Sequence, residues 1–156
     1  HKLAVSDLKD FGPGTRFLPV ISEIDPIAAP DKVDRVVICS GKVYYDLLAE
    51  RRERKLDNVA ILRLEQFYPF PARMLGEELA RYKQAKVIWC QEEPENMGGW
   101  TFVDRLIEGV LTDIGHKSTR PTFVGRVAAA SPATGLAKVH VAEQAALVNK
   151  ALGVSA

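Results

Sequence analysis

Residues 36–47 read Val36-Val37-Ile38-Cys39-Ser40-Gly41-Lys42-Val43-Tyr44-Tyr45-Asp46-Leu47, a four-residue β-branched and apolar run, a tight turn, and a segment of helical spacing. A continuous apolar run of this length, with no polar alternation, fits a strand buried on both faces, as in a parallel sheet covered by helices. The same unit recurs. Val59-Ala60-Ile61-Leu62 and Val87-Ile88-Trp89-Cys90 are further runs of this kind, and Thr122-Phe123-Val124 is a plausible fourth strand. Helical spacing fills the intervals. Lys42 to Leu56 carries Val43, Leu47 and Leu48; Ala72 to Gln84 carries Leu75, Leu79 and Tyr82; Trp100 to Ile114 carries Val103, Ile107, Val110, Leu111 and Ile114. A last helix from about Lys138 is expected to bury Val141, Ala145, Val148 and Leu152. Strand and helix in alternation predict an α/β fold of three layers, a mostly parallel sheet with helices on both faces.

Outward from this repeating part, residues 1–30 show no sustained period and carry Pro13, Pro19, Pro26 and Pro30. They read as a connecting arm from a preceding domain, with residues 31–156 as the α/β domain. A chain of 156 residues has the size of one ordinary domain, yet it starts at His1 rather than Met, so it reads as a piece of something longer. Twenty-one Lys plus Arg against twenty Asp plus Glu leave a net charge of +1. That balance provides no electrostatic footprint for nucleic acid or an anionic membrane. No apolar run approaches the ~20 residues of a membrane span. Cys39 and Cys90 each sit inside an apolar strand without a CxxC pattern, and read as reduced, buried thiols in a reducing compartment.

Ligands of open parallel sheets collect beyond the carboxyl ends of the strands. Three such ends hold polar residues. Ser40-Gly41-Lys42 offers backbone N–H groups, a helix dipole and a lysine, and reads either as an anion site or as a plain helix start with an exposed lysine. It lacks the full loop that wraps a triphosphate. Arg63-Leu64-Glu65-Gln66-Phe67-Tyr68-Pro69-Phe70-Pro71 leads to Arg73 near the start of the next helix, where a cation opposes the dipole. Gln66 and Arg73 suit an anionic ligand, or an interdomain salt bridge. Gln91-Glu92-Glu93-Pro94-Glu95-Asn96-Met97-Gly98-Gly99-Trp100 carries paired carboxylates suited to acid–base work or a metal. Neighbours on an extended chain point to opposite faces, however, which favours a structural role for Glu92 and Glu93. The run Glu50-Arg51-Arg52-Glu53-Arg54-Lys55 reads as a solvated helix face. His1, His116 and His140 have no Asp with a Ser or Cys placed to suggest a triad.

These motifs, in this order, together with Gly125-Arg126 and Ala130-Ser131-Pro132-Ala133-Thr134-Gly135, resemble the C-terminal domain of the thiamin-dependent 2-oxoglutarate dehydrogenase component. The resemblance runs from Ala4 to Leu152, with Phe67 where the family usually shows leucine and Gly99 where it shows a small residue such as alanine. It implies a parent enzyme that decarboxylates 2-oxoglutarate on thiamin diphosphate with magnesium and passes succinyl to the lipoyl group of a succinyltransferase component. It implies, too, that this domain supports a homodimer and the surroundings of the active site, the cofactor being held by the preceding domains. No catalytic, cofactor or metal residue is then expected here. The cytoplasm is the expected compartment in a bacterium, and the mitochondrial matrix in a eukaryote. Some family members bind acetyl coenzyme A or AMP at a site bordered by this domain. By motif, Gln66 and Arg73 correspond to two of its residues and Arg16 falls near a third, whereas Met74 stands where a second arginine is usual. The alternative to this reading is a free-standing anion-binding module built on Ser40, Gly41 and Lys42.

Overall fold

The computed structural model describes residues 2–155. Five strands form one sheet in the order β1-β3-β2-β4-β5, comprising β1 (Val20–Ile21), β2 (Arg35–Cys39), β3 (Val59–Leu64), β4 (Lys86–Pro94) and β5 (Thr122–Arg126). The last four run parallel, and only β1 pairs antiparallel, with β3. Four helices cover it: α1 (Val43–Glu53), α2 (Ala72–Leu79), α3 (Trp100–Asp113) and α4 (Ala137–Leu152). Successive side chains on a strand face opposite ways, so each apolar run feeds two cores. Val36, Ile38, Ala60, Leu62, Val87 and Trp89 pack on the α2–α3 side. Val37, Cys39, Val59, Ile61, Ile88 and Cys90 pack on the α1–α4 side. The three-layer, mostly parallel fold expected from the sequence is therefore the fold observed.

Three expectations are corrected. The charge run of α1 is not wholly solvated. Arg51 is 1% exposed, pairs through both terminal nitrogens with Glu23 and through Nη2 with Asp25 at 2.8 Å, and donates to Val59 O at 3.0 Å. A run of like polarity winds around a helix, so one member in four turns inward, and here it meets carboxylates brought by the segment after β1. Val141 and Ala145 are exposed, and α4 buries Leu147, Val148, Ala151 and Leu152 instead. Only its C-terminal part lies on the sheet. The second helix is shorter than its period suggested. After Leu79 the chain tightens into a 3-10 turn, Ala80–Tyr82, that drives Tyr82 into the core just before β4.

Glu23 deserves its place for a backbone reason as well. Its Oε2 accepts the Ile61 N–H of β3 at 2.7 Å, so a side chain substitutes for a strand carbonyl where β1 has ended. Ala28 N–H bonds Asp57 O at 2.9 Å, carrying the attachment further along residues 19–30.

His116, read from sequence as a loop histidine, is buried with both ring nitrogens engaged, Nε2 at 2.9 Å from Tyr82 O and Nδ1 accepting the Ser118 N–H at 3.0 Å. This pattern needs the neutral ring, and burial lowers its pKa from the ordinary value. With the native pKa depressed, the unfolded chain binds the proton first, so stability is full above the unfolded pKa of about 6.5 and falls as pH drops through the native one. Thermal unfolding should show this acid slope, and His116→Asn should flatten it while lowering the midpoint at pH 7. An unchanged slope would reassign it to other groups.

Candidate functional site at the carboxyl edge of the sheet

The chain runs from central β2 to β3 on one side and returns by α2 to β4 on the other, so the topological switch point lies between the carboxyl ends of β2 and β4. An open α/β sheet places its ligand crevice there. The crevice is bridged by this chain's own charges. Lys42 Nζ is 2.9 Å from Asp46 Oδ2 and 2.9 Å from Glu92 Oε1. Gln144 Nε2, from α4, donates to the same two carboxylates at 2.8 and 3.0 Å. Arg126, at the end of β5, extends the network. Its Nε pairs with Glu143 at 3.0 Å, its Nη2 donates to Gln144 Oε1 at 2.9 Å and lies 3.1 Å from His140 Nδ1, and its Nη1 bonds the Glu92 carbonyl. The lysine of Ser40-Gly41-Lys42 is thus exposed, as the plain helix start expected, but also paired, and an incoming anion would have to displace two carboxylates.

Glu92 and Glu93 diverge as the pleat requires. Glu92 joins the Lys42 network, while Glu93 lies over Gly98. Between the core and this loop sits a residue whose role the sequence did not reveal. Gln91 is 3% exposed, and β4 is irregular between Cys90 and Pro94, where the ladder re-aims its side chain. Gln91 Oε1 accepts from Trp89 Nε1 and Trp100 N, each at 2.9 Å. Its Nε2 donates to Glu93, Pro94 and Met97 carbonyls at 3.3, 3.1 and 2.7 Å. One amide therefore organises the whole loop and the start of α3. The only signal for it in the sequence was a lone amide following a strand otherwise wholly apolar. Gly98, at φ +66°, turns the loop, and a Cβ there would stand 2.9 Å from Gln91 Nε2.

Gln66 and Arg73 lie on one connection. Gln66 Nε2 donates to Pro69 O at 2.6 Å, and Arg73, largely exposed on the first turn of α2, pairs with Glu77 at 2.6 Å. Arg16 enters from the arm, three residues before Pro19, whose carbonyl accepts the Glu65 and Gln66 N–H groups at 2.9 and 3.3 Å. Three residues span at most about 10 Å, so the backbone of Arg16 lies within that reach of the Glu65–Gln66 segment, while Arg73 makes its printed contact within α2. Arg63, beside that segment, stacks over Tyr44 at 4.7 Å and pairs with Glu65 at 2.9 Å. Burial pushes Tyr44 up to about 12.

Cys39 and Cys90 stand opposite each other on β2 and β4, free and buried, as expected. Burial raises both thiols, Cys90 to about 12, so neither is a thiolate near neutral pH. Among the described residues no group of three His, Cys, Asp or Glu is placed to hold a metal ion, and no helix is long and apolar enough to cross a membrane. His1 lies outside the described residues.

Two departures from the family pattern turn out to touch. A Cβ on Gly99 would stand 2.8 Å from Phe67 Cε2 and 3.0 Å from Trp89 Cζ2, and the Phe67 ring is itself held between Trp89 and Phe102. Phenylalanine at one position thus demands glycine at the other. Gly99→Ala should cost about 1–3 kcal/mol by overpacking, and Phe67→Leu should leave a void. The double substitution should recover most of the loss, a coupling of at least ~1 kcal/mol in urea unfolding. Additive losses would disprove the contact.

Two kinds of similarity bear on identity. Residues 5–152 match the family described as 2-oxoglutarate dehydrogenase C-terminal. The chain is 47% identical over 161 aligned positions to the 2-oxoglutarate dehydrogenase E1 component of Brucella anthropi, covering 98% of this chain and 16% of that protein. The Brucella ovis protein of the same name matches equally, and that of Brucella abortus is 56% identical over 122 positions, 78% of this chain and 12% of the relative. The chain therefore spans about one sixth of the length of such relatives. Nothing in these matches supports a free-standing anion-binding module.

Proposed function

Because the chain belongs to the 2-oxoglutarate dehydrogenase C-terminal family, we propose that it is the assembly domain of an E1 component that decarboxylates 2-oxoglutarate and transfers succinyl to lipoyl groups in the tricarboxylic acid cycle. The match over residues 5–152 carries this reading. Thiamin diphosphate with magnesium supplies the electron sink for decarboxylation, and belongs to the preceding domains of a homodimer. The donor set supports that division. A diphosphate and its cation need free basic groups and converging carboxylates, whereas Lys42 is neutralised by Asp46 and Glu92, and Glu92 and Glu93 point apart.

What this chain's residues do in such an enzyme is hold shape. Gln91 fixes the loop at the end of β4, Arg126 ties β5 to α4, and the Lys42 network closes the switch point. We propose that residues 1–30 connect to the preceding domain, their latter part, β1 with Glu23 and Asp25, being fastened to the sheet of this domain, and that the enzyme works in a bacterial cytoplasm. Bacterial relatives and two free thiols support the latter. Full-length enzyme with thiamin diphosphate, magnesium and 2-oxoglutarate should succinylate a lipoyl domain, and the 156-residue chain alone should not. Turnover by the chain alone would refute the division of labour.

A regulatory nucleotide, acetyl coenzyme A or AMP, is proposed at Gln66, Arg73 and Arg16. Arg73 supports it, being solvent-facing with a single carboxylate partner that a phosphate can outcompete. Calorimetry on the full-length enzyme should show Arg73→Ala weakening either ligand about tenfold or more, the loss of one charge-assisted contact. Equal affinities would remove the site.

A further inference from the structure

Beyond those of the arm, most of the exposed large apolar side chains gather on one edge of the sheet. Tyr68 follows β3 and is 84% exposed, Val127 follows β5 and is 80% exposed, and Leu136 and Val141, at 67% and 66%, stand where α4 begins. Phe102 lies on the first turn of α3. Leu18 precedes β1, whose antiparallel pairing of Val20 with Leu64 sets it beside the carboxyl end of β3. All six mark the carboxyl edge of the sheet. Of the connections at the amino edge, before β2, β3, β4 and β5, only the one before β2 presents an exposed large apolar residue among the described residues, Ile24. Scattered exposure is ordinary, but concentration on one edge marks an interaction surface.

The edge is also rigid. Val127 sits between Arg126, held by the bonds given above, and Ala129, whose N–H and carbonyl bond the Asn96 side chain at 3.1 and 3.0 Å. Glu95 N–H bonds Arg126 O at 3.0 Å, so the loops after β4 and β5 form one unit. A β-branched side chain held outward on a braced backbone loses little entropy on contact, as an anchor of a preorganised interface should. Beside it a small cleft lined by Pro94, Val127, Ala129, Pro132 and Ala133 offers a socket for an apolar side chain.

We propose that the carboxyl edge is the platform on which the preceding part of the same polypeptide docks, with Tyr68, Val127 and Val141 as its anchors. This rests on the assembly reading above and adds the surface to it. The occupant follows from three observations. About five sixths of a relative's length lies outside this segment, the segment matches a C-terminal family, and the arm joins the sheet at this very edge through Pro19 and the Glu65 and Gln66 amides. The edge where an α/β enzyme ordinarily keeps its ligand crevice is here sealed by the Lys42 network and turned to docking.

Cysteine reactivity in the full-length enzyme tests the proposal. Tyr68→Cys, Val127→Cys and Val141→Cys, each alone, are treated with N-ethylmaleimide and followed peptide by peptide by mass spectrometry, against Thr119→Cys on the exposed amino-edge connection. The buried native thiols Cys39 and Cys90 stay silent. The three edge thiols should react at least a hundredfold more slowly than Thr119→Cys, at every protein concentration. Rates matching Thr119→Cys would overturn the platform. Protection that disappears on dilution would overturn the intrachain occupant in favour of a second copy. Failure of the unsubstituted full-length protein to turn over 2-oxoglutarate would instead sink the enzyme assignment, a readout separate from these rate ratios.

Discussion

Arg51→Met is expected to destabilise the chain by about 3–5 kcal/mol, the cost of leaving a buried carboxylate without its cation. Glu23 receives both terminal nitrogens of Arg51 and the N–H groups of Ile61 and Asp25, and its side chain is 4% exposed. Methionine keeps the apolar stem and removes the guanidinium with its bonds to Glu23, Asp25 and the Val59 carbonyl, so packing loss is a minor part of the effect. At about 2–4 °C per kcal/mol for a chain of this size, the thermal midpoint should fall by roughly 10 °C. A second substitution separates causes. Arg51→Met with Glu23→Leu removes the stranded charge and should recover most of the loss, leaving about 1–3 kcal/mol for the orphaned Ile61 N–H. A single-variant loss below ~1 kcal/mol in urea unfolding would show that the cluster is hydrated and not a buried pair.

The second large effect is expected at Gln91. Gln91→Leu strands the Trp89 indole N–H and the Trp100 N–H, and removes the donor from three carbonyls of one loop. Each buried group left unpaired costs about 1–3 kcal/mol, and water can reach part of the loop, so a total of about 3–5 kcal/mol is expected. Amide exchange over residues 92–100 should quicken more than tenfold while that of β2 and β3 changes only with global stability. Gln91→Glu makes a sharper test. It keeps the acceptor but turns a carboxylate toward three carbonyl oxygens in a buried place, which raises its pKa. A raised carboxyl pKa means stability is retained at low pH and lost as pH rises through the native value. The deficit relative to the unsubstituted chain should therefore grow between pH 5 and pH 8. A deficit independent of pH would show that the loop opens to solvate the carboxylate.

The corrections share one character. Periodicity located the four α-helices and the four parallel strands, because an apolar run of four and a 3.6-residue spacing are local properties that the chain cannot hide. What it missed were partners far apart in sequence. Arg51 looked like one charge in a solvated run until residues 23 and 25 were folded over it. Gln91 looked like the start of an acidic motif until the irregular ladder turned it inward. Lys42 offered itself as an anion site until Glu92, fifty residues on, was set beside it by the β2–β4 pairing.

The amino-acid sequence by itself determined the layer architecture, the element order and the family, since these rest on local pattern and on ordered motifs. Only the tertiary structure decided which polar groups are spent within the chain and which apolar ones are left outside it. A charge is free or paired, and a valine is core or contact, according to neighbours that strand order alone brings together.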